Sequence, residues 1–265
     1  MIPARLEGAT AIEFLHRATS GVALLVVLIL YGVARRAHPR GVPARTAALV
    51  SGFAIVGEAL IGAGIVLFGW VAGDASVART IAVPLHLVNT LLLLAAIAAV
   101  VILSDGRQLH RPSVPLRRVL VAGLGSMVLV VATGAIAALA DTLFPSESVA
   151  SGVADDFSAA SNFLTRLRVV HPIVAVGVGL LLVWLVTRPE SIQHVAAHPA
   201  ARMIPWIVAT QISFGLINVV LLVPVWTQLV HLLIADILWI SFVWFALDAI
   251  GLKESDAHRS SVSSS

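Results

Sequence analysis

The chain has 265 residues, 59% of them hydrophobic and 12% charged, with a mean hydropathy of +0.99. A soluble domain carries roughly a quarter charged residues, so this composition excludes a soluble enzyme, a disordered protein and a nucleic-acid binder. The pI near 10.5 does not restore the last of these, because the net charge is only +3 and the bases are 16 Arg and one Lys. With no Cys, disulfides, thiolate metal sites and cysteine nucleophiles are excluded too.

In chain order, seven stretches are apolar for the roughly 20 residues that a helix needs to cross a bilayer. They are 14–34, 47–70, 81–103, 119–140, 168–187, 203–223 and 226–247. Each is a continuous apolar run, without the alternation of a lipid-facing strand. The first is too long for the core of a signal peptide, and no small-residue cleavage site follows it. The tail 252–265 (LKESDAHRSSVSSS) is Ser-rich and polar, which predicts disorder. The predicted fold class is all-α integral membrane, with seven transmembrane helices.

Basic residues give the orientation, because cytoplasmic loops are enriched in them. Arg35, Arg36, Arg40 and Arg45 follow the first span, and Arg107, Arg111, Arg117 and Arg118 follow the third. Arg188 and Arg202 follow the fifth, and the tail adds Lys253 and Arg259. All twelve fall on one side, against five on the other: Arg5, Arg17, Arg79, Arg166 and Arg168. That second side also carries acids, including Asp141, Glu147, Asp155 and Asp156. The expected N-terminus is outside and the C-terminus cytoplasmic.

Five of the nine histidines, His38, His110, His194, His198 and His258, fall in loops or the tail and read as solvated surface residues. The other four, His16, His86, His171 and His231, fall on the first, third, fifth and seventh spans. Each lies within about the first two turns of a span that runs from outside to inside, so four imidazoles share one depth in the outer half of the membrane. A single intramembrane His commonly serves as an interhelical hydrogen bond, but ionisable groups in a bilayer are costly and tend to be functional. Imidazole is the usual axial ligand of haem iron, and four helices supply two facing pairs. Zinc finds no carboxylate or thiol to complete a compact ligand cluster. A retinal Schiff base is excluded, because the one Lys is Lys253 in the tail.

The chain also repeats itself. AIEFLHR (11–17) compares with LRVVHP (167–172), and VPLHL around His86 with TQLVHL around His231. Between them, GEALIG (57–62) compares with TQISFG (210–215): a polar residue, Glu58 or Gln211, stands four before a Gly. The spans before residue 104 and those after residue 167 therefore read as two three-helix units, pseudo-symmetric halves related by an axis along the membrane normal. The predicted domains are an N-terminal half-bundle over 1–116, a C-terminal half-bundle over 117–251, and the tail 252–265. The fourth span and a 27-residue outer loop, 140–166, precede the second unit, whereas only 13 residues precede the first. That asymmetry leads us to expect one further helix upstream of residue 1, or else a genuine seven-helix variant.

These pieces, in this order, resemble the haem A synthase family, which converts haem O to haem A during cytochrome oxidase assembly. The matching pieces are IEFLHR (12–17), PLHLVN (84–89), TGAIAALADTLFP (133–145), RLRVVHP (166–172), Gln211 with Gly215 and Asn218, and QLVH (228–231). They are spread over almost the whole chain. The resemblance implies a membrane oxidoreductase of a bacterial cell membrane, built as an eight-helix bundle that here lacks its first helix. It implies a haem b held axially by His171 and His231, and a substrate haem, haem O, facing His16 and His86. Glu13 matches the family's functional Glu; it also lies three residues before His16, on the same helix face, where a carboxylate could relay protons. Its plainer reading is an anion favoured at a helix N-terminus. Arg17, Arg166 and Arg168 stand at the level of haem propionates, which Arg grips bidentately; membrane-edge anchoring is their alternative role. Haem O synthase and cytochrome c oxidase assembly proteins are the implied partners, in a lipid setting and without nucleic acid. Many bacterial relatives carry Cys pairs in the outer loops, and none is present here.

Glu58, Gln211 and Asn218 are polar residues within spans that can bridge helices, and Asp236, five residues beyond His231, reads as a proton-path group or a bridge. Two other functions remain open at this stage: a non-catalytic di-haem b cytochrome, and a haem-binding oxidase assembly factor. Glu13 favours the enzyme, since electron transfer alone needs no acid beside the iron.

Overall fold

The computed structural model describes residues 9–187, apart from 72, 107 and 110, and residues 199–252. In chain order the helices are α1 (Ala9–Ala37), α2 (Pro43–Leu67), α3 (Val77–Leu103), α4 (Val114–Leu143), α5 (Val149–Phe157), α6 (Phe163–Arg168), α7 (Val170–Thr187), α8 (Pro199–Val220) and α9 (Val225–Ile250). Seven segments are long and apolar enough to cross a membrane, the fifth combining α6 and α7. Their number and order are those expected from the sequence.

The helix ends follow from local chemistry. Ser76 and Ser113 cap α3 and α4 by accepting from the backbone N–H of Arg79 (3.2 Å) and Leu116 (3.4 Å). Pro43 opens α2 in its first turn, where a missing N–H costs nothing. That helix ends at Leu67, short of the expected 70, because Phe68 N–H closes on Gly64 O and Gly69 adopts φ +71. The sixth span likewise ends at Val220 and not at 223. Leu222 and Val223 turn with φ 59 and 57, and Pro224 follows. Positive φ at a β-branched residue is strained; here Val223 N–H donates to Asn218 O (2.8 Å) and Gln228 Nε2 donates to Val223 O (2.9 Å), which pins the turn. Thr227 Oγ1 donates to Asn218 Oδ1 across the same turn.

The outer connection expected over 140–166 is a correction. It is not an open loop: α4 runs on to Leu143, and the remainder folds into α5 and α6. Ser148 and Ser151 form a reciprocal capping box at the start of α5, and Asn162 caps α6 by accepting from Leu164 N–H (3.0 Å). Within the tail, Leu252 pairs with Gln108 in a two-residue antiparallel ladder, and residues 253–265 lie outside the described residues. So do Arg5, Arg107, Arg188, His110, His194, His198, His258 and any upstream helix.

Packing is concentrated in the second half of the chain. The largest buried cluster takes Leu120 and Met127 from α4, Leu182 and Val186 from α7, Ile204 and Val208 from α8, and Trp239, Phe242 and Phe245 from α9. Leu91 of α3 joins the same cluster, and Trp239 Nε1 donates to Leu91 O (2.8 Å). Lipid tails are as apolar as Leu, so such contacts hold through close fit and interhelical hydrogen bonds. Gly123 of α4 supplies that fit: a Cβ there would lie 2.1 Å from Phe242 Cζ. α1 is packed differently. Val27 and Ala34 are buried against α2 and α3, whereas residues 15–23 of the same helix are exposed throughout.

Candidate functional site

Spans alternate in direction along the chain, so α1, α3, α7 and α9 all begin at one end of the bundle. His16, His86, His171 and His231 fall in the opening part of these four helices, as the sequence predicts. Pro84 lies two residues before His86 inside α3, and Pro172 directly follows His171 in the first turn of α7. Pro84 offers no N–H to the carbonyl of Thr80, so the helix ladder is interrupted one turn ahead of His86.

His171 and His231 are brought together. Their ring centroids are 6.4 Å apart, with the rings at 90°. Each ring lies against a glycine of the neighbouring helix: a Cβ on Gly134 would lie 3.0 Å from His171 Cε1, and one on Gly215 would lie 3.2 Å from His231 Cε1. Thr133 Oγ1 stands 3.3 Å from His171 Nδ1. That hydroxyl lies 2.9 Å from the Val130 carbonyl and 3.1 Å from the Leu129 carbonyl, so it donates to the helix backbone and is free to accept from an Nδ1–H. On the other ring, Gln211 Nε2 stands 3.2 Å from His231 Nε2, while His231 Nδ1 and Gln211 Oε1 are buried without a hydrogen bond. A buried imidazole nitrogen without a partner is costly unless a ligand satisfies it.

The other pair is not assembled in the same way. His86 is partly buried against Gly62 of α2, where a Cβ would lie 3.4 Å from its Cε1. Its Nδ1 stands 3.3 Å from Glu58 Oε1, unaligned for a hydrogen bond. Glu58 is itself held by α3: Asn89 Nδ2 and Thr90 Oγ1 donate to its two oxygens at 2.6 and 2.5 Å. His16 is exposed on the unburied part of α1. Glu13 and Arg17, one turn apart on that helix, form an ion pair and are both exposed, a geometry that contributes little stability.

The arginines separate into different roles. Arg166 is exposed. Arg168 is largely buried, and its guanidinium makes four hydrogen bonds and two ion pairs. Nε and Nη2 meet Asp156 at 2.8 and 2.7 Å, and Nη1 meets Asp141 at 2.9 Å and Ser146 at 3.2 Å. Nη2 also donates to Gly152 O at 3.0 Å. Arg168, expected from the resemblance to meet a propionate, here clamps α5 and the end of α4 to α6. The two acids that claim it, Asp141 and Asp156, were read from the sequence only as outer-side charge.

The sequence reading gave Glu58 and Gln211 no more than a bridging role, and Thr133, Gly134, Asn89 and Thr90 none. The signal for Glu58 and Gln211 was present in the shared spacing to Gly62 and Gly215. Asn89 was legible as the residue one turn beyond His86.

The fold and this end of it define a multi-pass helical membrane protein whose polar interior is built around histidines. The chain matches the family described as Cytochrome oxidase assembly protein over residues 4–243, and it belongs to that family. It is also similar to proteins named protoheme IX farnesyltransferase in two strains of Thermus thermophilus, with 40% identity to each over 258 residues. The match takes in 94% of this chain and 42% of each relative, so the chain spans less than half their length. No solved structure matches the chain.

Proposed function

We propose that the chain is a haem A synthase-type membrane oxidoreductase, which oxidises a methyl group of haem O to the formyl group of haem A for cytochrome oxidase assembly. The observation that carries the haem-binding part is the His171–His231 separation. Imidazole–metal bonds of ~2 Å, each extended by ~1 Å from nitrogen to ring centre, put two rings that share one ion roughly 6 Å apart. The 6.4 Å separation agrees. The unpartnered His231 Nδ1 and the glycines facing both rings fit the same ligand. In this reading His171 and His231 would hold a haem b, and His16 and His86 would face the substrate. The bound haem would supply one-electron chemistry; His171 and His231 would bind it, and Glu13, three residues before His16, would be the acid. Arg17 and Arg166, both exposed, are the first candidates for propionates, and Arg168 is already engaged by Asp141 and Asp156. The two pseudo-symmetric halves and the outside N-terminus belong to this proposal too.

The farnesyltransferase name describes relatives of which more than half lies outside the match. A protein that farnesylates protohaem IX yields a farnesylated haem, and this chain would act on such a product. The two reactions are then consecutive on one porphyrin, which makes a haem O synthase the expected partner.

A non-catalytic di-haem cytochrome is the second reading. The exposure of His16 and the Glu13–Arg17 pair favour it, since the C-terminal pair is then the better-built site. Extraction of pigment from the purified protein tests both. Haem A or its hydroxylated precursor supports the enzyme, whereas haem b alone after supply of haem O supports the cytochrome.

A further inference from the structure

The histidines of α3 and α9 meet their neighbouring helices through the same two positions. His86 lies against Gly62 and beside Glu58, which is four residues earlier on α2. His231 lies against Gly215 and beside Gln211, four residues earlier on α8. The spacing is the same, and in each case the partner is the helix that precedes the histidine; the chemistry differs in one atom, a carboxylate oxygen for an amide nitrogen.

We propose that Glu58 and Gln211 are paired positioning residues, each set beside one ring nitrogen, so that once iron takes the opposite nitrogen Glu58 accepts from His86 Nδ1–H and Gln211 turns its unpartnered Oε1 to accept from His231 Nε2–H. We further propose that the carboxylate gives an iron at His86 a lower reduction potential than the amide gives an iron at His231. This rests on the haem-binding reading above. A carboxylate that takes a ring N–H raises the basicity of the opposite nitrogen, and a more basic ligand with a nearby anion stabilises ferric over ferrous iron. An amide does this weakly. Glu58 is fixed as an acceptor by Asn89 and Thr90, each donating to a different oxygen, so its carboxylate cannot swing away from the ring. Gln211 has no such support: its Oε1 is buried without a partner. The two sites are thus held with different rigidity as well as different charge. Electrons would rest preferentially at His231 and leave the iron at His86 ferric.

The test uses the protein of residues 1–265 in detergent, reconstituted with excess haem b, in backgrounds that leave one site. H231A keeps the His86 site, and H86A keeps the His231 site. Redox titration of each background, with and without one added change, reads the potential of a single haem. E58Q on H231A is expected to shift the potential positive. Q211E on H86A is expected to shift it negative, and this arm stands if E58Q costs haem binding. The ferric low-spin spectrum should change in the same variants, which a role limited to packing would not produce. Unchanged potentials in both arms, with haem still bound, overturn the inference and leave the haem reading intact. Loss of all haem from H231A and from H86A before any second change overturns the haem reading itself, and the inference with it.

Discussion

At the scale of single residues, the chemistry is set by which side chains have partners and which do not. His171 meets Thr133 through its Nδ1, and His231 keeps a buried Nδ1 free of hydrogen bonds. Two imidazoles on one iron give a six-coordinate low-spin centre, and one cannot. His171→Ala or His231→Ala is therefore expected to abolish the low-spin absorption of that haem, and an unchanged spectrum in both variants would reject the pair. Glu13 is a different case. It is exposed and tied only to Arg17, and no packed group depends on it. Glu13→Ala should leave haem content within experimental error of wild type while conversion of haem O stops. Turnover at the wild-type rate would reduce Glu13 to an interfacial anion.

At the scale of elements, two contacts decide whether the histidine helices hold their positions. The first is the Arg168 clamp, where one guanidinium satisfies Asp141, Asp156, Ser146 and the Gly152 carbonyl. Removing one partner of a buried ion pair leaves an uncompensated charge and costs on the order of 3–5 kcal/mol; here two carboxylates are left. Arg168→Met should expose the 144–162 connection to protease and lower the melting temperature in detergent. Cleavage no faster than in wild type would mean that α5 is held by its own caps. The second contact is α4 against α9 at Gly123. A methyl there overlaps Phe242, and overpacking of this kind costs typically about 1–3 kcal/mol. Gly123→Ala is expected to destabilise the bundle by about that amount in thermal unfolding, although the position touches no histidine.

At the scale of the whole molecule, the two histidine pairs are unequally enclosed. α7 carries His171 against α4, and the cluster that includes Phe242 and Phe245 packs the helices beneath it. α1 is buried only over its second half, and the stretch that bears Glu13, His16 and Arg17 is exposed. A ligand between open helices competes with lipid and water for its contacts. The chain of residues 1–265 should therefore bind haem firmly at His171 and His231 and weakly at His16 and His86. A haem titration followed by absorbance would show two unequal phases, and the weaker should vanish in His86→Ala. Two phases of equal affinity would mean that α1 closes over its partner when the ligand arrives.

Hydropathy and residue identity are local properties, and the sequence by itself determined what depends on them: seven crossings in order, four histidines near one end, and the family pieces from IEFLHR to QLVH. It also exposed the repeat that pairs Glu58 with Gly62 and Gln211 with Gly215. It could not say which rings meet, because a helix that is apolar all round carries little periodic signal for the face it turns inward. The rotation and tilt of α7 and α9 bring His171 and His231 to 6.4 Å across sixty residues of chain. The same packing makes Arg168 a clamp, because Asp141 near the end of α4 and Asp156 of α5 meet on it. It also put Glu58 beside His86, a contact made by the seating of α2 on α3 through small residues. Each of these contacts joins residues distant in sequence, and their geometry is decided by how closely helix backbones approach.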